Sequence, residues 1–446
     1  MVRGQDLVWS KGYGFIDAKG MVPATSRSIY SICSISKLFT AVAVMRLVDA
    51  HQLRLDDELG SVLPAYTFAQ SDPDSAPITV RSVLMHSAGL PRESDYPYWT
   101  GPEFAFPTDQ QLRERLAQQS TLYRSSDRFQ YSNLGMTLLG NLVAQVSAQS
   151  YPQYVQASIL DPLNLRDTRI GMPMDLYAKQ LAVGYGAIKR DGTRDLLATF
   201  DTNALAPAAG YTSTVEDLAR FASWQFRLLQ RGGSEILRAA TLRDMQRVQW
   251  TDHDNKTTWG LGFAVRYERG RSIVSHSGSC PGYRSTLREE PSDQLAIIVM
   301  ASAMVATSKY TTGVSKIMAK AKQIEQPAAR ETAPDLEQYA GRYGAQPWNS
   351  ETVVLPWGKN LAMLILPSDD PDIGIEIIKP SPDTFREVRE DGTLGAEYRF
   401  ERDSSGKLAA GAGQQQLLPA SGGRRAAVTR VARITSMFRD CGPARR

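Results

Sequence analysis

The sequence has few of the residues that build metal centres and disulfide frameworks. Its 446 residues include four histidines and three cysteines, Cys33, Cys280 and Cys441. Four histidines leave little material for a metal site, and three cysteines are an odd number with no metal-type spacing. We therefore interpret the cysteines as free and mostly buried thiols, because unpaired cysteine behaves as a small apolar residue.

Long apolar runs and an excess of one charge are also absent. The longest runs, LFTAVAVM and LAIIVMASAMVA, fall short of the ~20 residues that cross a bilayer. The 51 basic residues nearly balance the 47 acidic ones and are scattered, so a nucleic acid is not the expected partner. The amino terminus has no basic segment followed by an apolar stretch, as a secretory signal would. We therefore expect a cytoplasmic protein without a membrane span.

Length and composition instead predict a globular chain of two domains. A hydrophobic content of 42% and a charged content of 22% are ordinary, and 446 residues exceed what one core usually supports. Residues 1–325 are assigned to a first domain and residues 326–335, rich in Pro and Ala, to a linker. Residues 336–446 form a second domain of short predicted strands that ends in a basic tail from Arg424.

The first domain has the pattern of a mixed α/β protein. The opening DLVWSKGYGFIDAKGMV predicts a strand, a turn and a strand, and residues 56–267 are mostly helical. Strands are predicted again over 272–303, and we expect the opening hairpin beside them in one antiparallel sheet. Ser213 and Glu216 have the spacing of a capping box, which predicts a helix start at that point.

A buried helix with a lysine near its start is predicted by YSICSISKLFTAVAVMRLVD. Ser34 and Lys37 share one helix face, so the amine can reach the hydroxyl. In apolar surroundings a lysine loses its proton more readily, and a hydroxyl beside a neutral amine is an activated nucleophile. S-x-x-K alone is a weak pattern, because the lysine can also extend to solvent and the chain has a second copy at 404–407.

Two further elements strengthen this interpretation. Tyr131 and Asn133 precede an apolar helix, where a phenol can share protons with an amine and an amide can orient a substrate. His276 and Gly278 lie on a predicted strand where backbone N–H groups can approach a ligand. Each residue alone is typical of ordinary packing. The order S-x-x-K, Y-x-N, H-x-G is much less expected by chance.

These motifs resemble the serine β-lactamase and penicillin-binding-protein superfamily, in particular its class C-like branch of family VIII carboxylesterases and D-aminopeptidases. The resemblance covers roughly Val8 to Ala321 and includes the segments LMHSAGLP, PAAGYTSTVEDLARF and WGLGF. It implies an α/β fold with an antiparallel sheet flanked by helices and an all-α lobe. The second domain is expected to be a small antiparallel β-barrel, similar to the lipocalin-like appendage of some relatives.

The resemblance also implies a role for each motif residue. Ser34 is the expected acylated nucleophile, Lys37 its base, and Tyr131 the shuttle that exchanges a proton with the leaving group. The backbone N–H groups of Ser34 and Ser279 are the expected oxyanion hole, in which each donor contributes about 10²–10³-fold. No metal or cofactor is implied. The side chains and backbone expected to line the cleft are those of Asn133, His276 and Gly278.

Two cysteines adjoin the proposed oxyanion-hole residues. Cys33 precedes Ser34, and Cys280 follows Ser279. They can therefore approach one another in the fold, and the sequence leaves open whether they pair.

Two departures bear on the substrate. Where β-lactamases of the superfamily have Lys-Thr-Gly, this chain has His276, Ser277 and Gly278. A histidine of ordinary pKa, ~6.5, is largely neutral at pH 7, which weakens recognition of a penicillin carboxylate unless Arg284 replaces the lysine. A loop rich in aromatic residues has two possible roles, which we weigh equally: its side chains line an apolar substrate pocket, or they only pack the loop against the protein. Its aromatic residues are Tyr96, Tyr98, Trp99, Phe104 and Phe106.

The expected reaction is hydrolysis of a carboxylic ester through a Ser34 acyl-enzyme, which we favour over hydrolysis of a lactam or a peptide. The alternatives within the superfamily are a D-aminopeptidase or amidase, a weak β-lactamase, and an acyltransferase or cyclase. The alternative outside enzymes is a sensor or binding protein that stays acylated. The expected partner is a small ester or amide. Family members usually begin with a helix that packs on the sheet before the first strand, and this sequence starts almost at that strand. Either the true start lies upstream, or the C-terminal domain or a second subunit of a homodimer covers that face of the sheet.

Overall fold

The structure is a computed structural model, and its two units are Met1–Ala319 and Lys320–Arg446. The predicted linker 326–335 lies mostly outside the described residues, and Cys441 and the basic tail from Arg424 lie wholly outside them. The described residues are 1–96, 98–268, 270–325, 334–344, 351–366, 375–389, 393–402, 404–406, 408–411 and 418–419.

An antiparallel sheet forms the centre of the first unit. The strands of this unit are Val2–Arg3 (β1), Asp6–Leu7 (β2), Tyr30–Ser31 (β3), Arg169–Ile170 (β4), Tyr211–Ser213 (β5), Ser234–Glu235 (β6), Leu237–Arg238 (β7), Trp250–Thr251 (β8), Thr258–Trp259 (β9), Ala264–Glu268 (β10), Arg271–Cys280 (β11), Tyr283–Glu290 (β12) and Leu295–Ala301 (β13). In the described part of the chain, the order of the sheet is β2-β1-β13-β12-β11-β10-β9-β8. The three strands predicted over 272–303 are therefore confirmed as β11, β12 and β13.

The opening hairpin lies earlier in the chain than the sequence predicts. Strands β1 and β2 pair with each other, and Val2 pairs with Ala296 of β13, so the expected position beside the later strands is confirmed. Most of the predicted strand segment is wrong, because residues 8–28 contain no strand and pair only around the bridge between Phe15 and Pro23, through the backbone hydrogen bonds from Ile16 to Val22 and from Ala24 to Gly14. The large apolar side chains of this segment are mostly exposed, Tyr13 at 71%, and only Ile16 is buried, at 2%, so most of them have no core to pack against.

Helices make up much of the rest of the described chain, and the helix Val215–Arg231 packs against β13 and β1 of the sheet. The α-helices are Ser36–Asp49 (α1), Leu59–Val62 (α2), Val80–Leu84 (α3), Asp109–Leu116 (α4), Asn133–Ser147 (α5), Tyr151–Val155 (α6), Ala206–Ala209 (α7), Val215–Arg231 (α8), Ala239–Met245 (α9) and Thr307–Glu325 (α10). Shorter helical turns are Cys33–Ile35, Gln156–Leu160, Met174–Leu176, Asn203–Leu205, Pro291–Asp293 and Pro334–Tyr339. In the described residues, no helix combines the length and the apolar character that a membrane crossing needs.

Helix α1 is buried over most of its surface, as its apolar sequence predicts. Phe39 stacks on Tyr211 and Phe221, which joins the helix to β5 and α8. The turn Cys33–Ile35 directly precedes the helix, so Ser34 lies in a 3₁₀ turn while Lys37 lies in the first turn of α1. The predicted helix is present, but the hydroxyl and the amine belong to two consecutive elements.

Helix α8 begins one residue later than predicted. Its N-cap is Thr214, whose hydroxyl accepts a hydrogen bond from the backbone N–H of Asp217 at 3.1 Å. The predicted cap Ser213 is the last residue of β5, and its hydroxyl bonds to Thr168 instead. The predicted capping box is therefore wrong, because the strand takes the serine that the local pattern assigns to the helix.

The second unit has its own core and its own antiparallel sheet. Its described strands are Gly341–Gly344 (β14), Glu351–Trp357 (β15), Asn360–Leu366 (β16), Ile375–Ser381 (β17), Thr384–Val388 (β18), Leu394–Arg402 (β19), Leu408–Gly411 (β20) and Leu418–Pro419 (β21). Tyr339, Phe385 and Phe400 pack edge to face in the core. Among the described residues the order β20-β19-β18-β17-β16-β15-β14-β21 has two ends, so a closed barrel is not observed.

Candidate active site

Lys37 is the centre of the candidate site and is fully buried. Its Nζ donates hydrogen bonds to Asn133 Oδ1 at 2.6 Å and to the Ala208 carbonyl at 2.8 Å, and lies 3.2 Å from Ser34 Oγ. Burial lowers the pKa of Lys37 well below its usual value, because the ammonium has lost its hydration, and the Glu93 carboxylate partly opposes this shift. The structure thus brings together the amine and the hydroxyl that the spacing predicts.

Tyr131 lies beside both groups. Its ring centroid is 4.9 Å from Lys37 Nζ and 4.9 Å from the guanidinium carbon of Arg92. Burial raises the pKa of the Tyr131 phenol well above its usual value, and its hydrogen bond with Ser34 acts in the opposite direction. At neutral pH the phenol therefore keeps its proton and can donate it.

Gly278 allows strand β11 to lie directly against the turn that carries Ser34. A Cβ atom at position 278 would come within 2.2 Å of the Ile32 carbonyl oxygen and 3.0 Å of Cys33 Cβ. No side chain larger than hydrogen fits without moving the backbone. The next residue along β11 is Ser279, so its backbone lies beside the Ser34 turn, where the sequence predicts an oxyanion hole.

A disulfide joins the same two segments. Cys33 and Cys280 are bonded across a sequence separation of 247 residues. The interpretation of the cysteines as free thiols is therefore wrong for these two. The expected approach of Cys33 and Cys280 is thus confirmed, and the fold decides the pairing that the sequence leaves open by bringing the turn before α1 against the end of β11.

His276 is buried and held in one tautomer. Its Nδ1 lies 2.9 Å from the Ser277 carbonyl, and a carbonyl only accepts, so Nδ1 carries the proton and Nε2 the lone pair. Burial and the nearby Lys37 lower the pKa of His276 to about 3. The expected ordinary pKa is therefore wrong, and the imidazole is neutral at pH 7 with more margin than the sequence predicts.

Sequence reasoning misses two rings that pack around Tyr131. The His86 ring centroid lies 4.4 Å from that of Tyr131, and the Trp259 ring centroid lies 6.1 Å from it. His86 Nδ1 accepts a hydrogen bond from the backbone N–H of Ser132 at 3.2 Å. Both residues lie in segments that carry the family resemblance, LMHSAGLP and WGLGF, and these segments are the signal that could have located them.

Sequence reasoning also misses Arg92 and Glu93, in the loop that follows LMHSAGLP. Asn133 Nδ2 donates to Glu93 Oε1 at 2.5 Å, and the Asn133 backbone N–H donates to the Arg92 carbonyl at 2.8 Å. The Ser132 hydroxyl donates to the Pro91 carbonyl at 2.6 Å. The loop is therefore fixed to the first turn of α5, which carries Asn133.

The aromatic loop is largely anchored in the protein. Of the two roles weighed for the loop, the contacts of Tyr98 favour the anchor: its side chain is fully buried, 4.9 Å from Phe106 between ring centroids, and its hydroxyl donates to Glu93. Phe104 and Phe106 are also buried and pack on Phe200. These contacts are those of a loop anchor. Tyr96 and Trp99 are partly exposed, and both pack against this cluster.

Arg284 lies on strand β12, next to the strand that carries the predicted oxyanion-hole residue Ser279. It pairs with Ser279 in the register of β12 and β11, and its side chain is half-buried. In the described part of the chain, no three His, Cys, Asp or Glu side chains are grouped as metal ligands would be.

Comparison with known proteins relates the chain to one family. The family model described as Beta-lactamase matches residues 1–314. Beta-lactamase-like protein 2 of Dictyostelium discoideum is 27% identical over 292 residues, which cover 64% of this chain and 52% of that protein. The chain thus spans about half the length of this curated relative.

Solved structures share the fold at low sequence identity. The octameric penicillin-binding protein homologue from Pyrococcus abyssi has a TM-score of 0.62 at 22% identity, over 94% of both chains. D-amino acid amidase from Ochrobactrum anthropi has a TM-score of 0.55 at 21% identity, over 65% of this chain and 82% of its own. EstCE1, a hydrolase with promiscuous acyltransferase activity, has a TM-score of 0.56 at 23% identity, over 68% and 87%.

Proposed function

The chain belongs to the beta-lactamase family, and from this premise we propose that it is a serine hydrolase that forms an acyl-enzyme on Ser34. The observation that carries the proposal is the contact of Ser34 Oγ with the buried amine of Lys37. A neutral amine has two N–H groups and one lone pair. Asn133 Oδ1 and the Ala208 carbonyl take the two N–H groups, so the lone pair is left for the Ser34 proton.

The proposed reaction follows from these positions. The Ser34 hydroxyl transfers its proton to Lys37 while Oγ bonds to the acyl carbon, and the carbonyl electron pair moves onto oxygen. The backbone N–H groups of Ser34 and Ser279 would stabilise that oxyanion. The oxyanion electron pair then re-forms the carbonyl and breaks the bond between the acyl carbon and the leaving oxygen. That oxygen takes a proton from Tyr131, which is protonated at neutral pH and recovers one from Lys37. Water then attacks the acyl-enzyme by the same steps in reverse.

We propose a carboxylic ester of small size as the substrate. The neutral His276 stands where family members with Lys-Thr-Gly have a cation, so the charge that receives a substrate carboxylate is missing at that position. A substrate with an uncharged acyl group does not need a cation at this position. Arg284 could supply a positive charge only from the neighbouring strand β12.

We also propose a lipocalin-like barrel for the second unit. Its support is the order of the described strands, in which consecutive strands β14 to β20 are neighbours, as in up-and-down barrels. A homodimer and a cytoplasmic location stay predictions. The Cys33–Cys280 disulfide argues against that location, because disulfides persist mainly in oxidising compartments.

The test is intact-protein mass spectrometry during incubation with p-nitrophenyl butyrate, with release of the phenol followed in parallel. We expect a transient butyryl adduct on Ser34 with steady release of phenol, and neither in Ser34→Ala. Lys37→Ala should lose at least about 10²-fold in rate, the lower range for a positioned base. Ser404→Ala is the matched control, because Ser404 begins the second S-x-x-K copy, and it should behave as wild type.

Other outcomes separate the alternatives. An adduct that forms and never clears would indicate a sensor, and faster clearance with an added alcohol or amine would indicate an acyltransferase. Faster turnover of D-amino-acid amides or nitrocefin than of the ester would indicate an amidase or β-lactamase. A wild-type chain that releases phenol without any adduct on Ser34 would overturn the proposal.

A further inference from the structure

Glu93 contacts the Lys37 site through one intermediate side chain, Asn133. The Asn133 amide is buried at 2% exposure and spans the gap, with Nδ2 on Glu93 Oε1 at 2.5 Å and Oδ1 on Lys37 Nζ at 2.6 Å. The carboxylate of Glu93 is itself held, because the Tyr98 hydroxyl donates to its other oxygen and the Arg92 guanidinium lies 3.4 Å from Oε1. The order of contacts is therefore Tyr98, Glu93, Asn133, Lys37.

The carboxylate determines which way the Asn133 amide faces. An asparagine amide has a donor end and an acceptor end of nearly the same shape, and it can turn over by half a rotation. A carboxylate only accepts, so Nδ2 of Asn133 must face Glu93 and Oδ1 must face Lys37. In the opposite orientation, Asn133 Oδ1 would face the Glu93 carboxylate, and two acceptors would meet with no hydrogen between them. Nδ2 would then direct an N–H group at the Lys37 amine.

The orientation of Asn133 in turn directs the Lys37 lone pair. When Oδ1 faces the neutral amine, it accepts one N–H while the Ala208 carbonyl accepts the other, so the lone pair is what remains for Ser34 Oγ, 3.2 Å from Nζ. If Nδ2 faced the amine, its N–H would occupy that lone pair. We propose that Glu93 is a positioning residue that fixes Asn133 so that Lys37 can take the Ser34 proton. The inference rests on the proposed function and names a residue that directs the base.

Glu93 also sets the electrostatics of the base. Its negative charge raises the pKa of Lys37 against the lowering by burial, while Arg92 lowers it further. Removing the carboxylate charge should therefore lower the pKa of Lys37. The acid limb of the pH profile, where Lys37 becomes protonated and inactive, should then move to lower pH. The other titratable groups that face Lys37 are Arg92, Tyr131, His86 and His276.

The test is Glu93→Gln, which keeps the shape of the side chain and removes its charge and its purely accepting character. We would measure kcat/KM for p-nitrophenyl butyrate and the rate of Ser34 labelling by a fluorophosphonate, each against pH. We expect the plateau to fall by about tenfold or more, part of the 10²–10⁴-fold that a positioned base contributes. We expect the acid limb to move to lower pH. A structural role alone would not move that limb.

Matched variants keep the test decisive. Glu103→Gln makes the same chemical change at an exposed site of the same loop and should leave the plateau and the limb unchanged. Glu93→Asp keeps the charge but shortens the arm, so the limb should stay near that of the wild type while the plateau falls. In an Asn133→Ala background, Glu93→Gln should lose its effect on the plateau, because the residue acts through Asn133.

Two results would overturn the inference, and they differ from failure of the proposed function. If wild type labels at Ser34 and Glu93→Gln keeps the same plateau and limb, the hydrolase stands and the positioning role is wrong. Full additivity of Glu93→Gln with Asn133→Ala also contradicts it. If the folded wild-type chain is not labelled at Ser34 at any pH, the proposed function is wrong and the inference with it.

Discussion

Among single residues, Glu289 shows the cost of burying a negative charge at a position outside the candidate active site. One of its carboxylate oxygens accepts from Gln225 Nε2 at 2.9 Å, and the other has no partner among the described residues. Burial raises the pKa of Glu289 from 4.5 to about 8, because the anion has lost its hydration. The folded chain therefore holds a proton here that the unfolded chain releases.

This shift predicts how stability depends on pH. Between about pH 4.5 and pH 8 the folded state binds the extra proton, so the free energy of unfolding falls as pH rises, by at most about 1.4 kcal/mol per unit. Glu289→Gln should remove this contribution. Urea unfolding at pH 5 and pH 8 would measure it, with Glu103→Gln as the exposed control. An unchanged pH dependence in Glu289→Gln would contradict the prediction.

The residues of the site differ in how far the sequence reveals them. Ser34 and Lys37 are three positions apart, and Tyr131 lies two positions before Asn133, the first residue of α5, so a local pattern locates them. Glu93 acts on Asn133 from 40 residues away, and no short-range pattern records that contact. In the sequence, Arg92 and Glu93 resemble ordinary charged surface residues of a loop, and only the fold shows that they contact the start of α5.

Among the elements, the helices and strands with a clear apolar pattern are predicted well, but the residues at which they begin and end are predicted poorly. Helices α1 and α5 and strands β11 to β13 follow from apolar periodicity, which is a local property. The opening hairpin and the first residue of α8 do not, because they depend on tertiary neighbours. Val2 has a partner strand at Ala296, and Ser213 belongs to β5.

The cap of α8 can be tested directly. Thr214→Ala should lower the free energy of unfolding by about 1 kcal/mol, because the Asp217 backbone N–H loses its acceptor. Thr214→Ser keeps the hydroxyl and should cost much less. Urea unfolding measures both variants, and equal losses would show that the methyl group rather than the cap matters.

The close approach of β11 to the Ser34 turn gives a second prediction for an element. Gly278→Ala places a methyl group 2.2 Å from the Ile32 carbonyl and should lower the free energy of unfolding by about 1–3 kcal/mol. It should also slow Ser34 labelling, because Ser279 moves with the strand. Gly60→Ala is the control, since a Cβ there meets nothing within 4 Å. Normal stability and labelling in Gly278→Ala would contradict the observed packing.

At the scale of the whole molecule, one covalent bond closes most of the first unit. The Cys33–Cys280 disulfide spans 247 residues, and reduction should lower the free energy of unfolding by about 2–4 kcal/mol, because the unfolded chain gains freedom. Urea unfolding with and without dithiothreitol measures this loss. Cys33→Ser with Cys280→Ser should not respond to the reductant, whereas Cys441→Ser should respond as wild type does. A wild-type chain insensitive to reduction would contradict the prediction.

The contacts from Tyr98 to Lys37 have a consequence for how such a protein can change over evolution. Tyr98 packs among the aromatic side chains of its loop, and its hydroxyl holds the carboxylate that orients the base through Asn133. A substitution that repacks this loop would also disturb the proton acceptor of Ser34. Loop packing and nucleophile strength are thus physically linked, so changes of sequence in this loop should first slow the enzyme until later mutations restore the base.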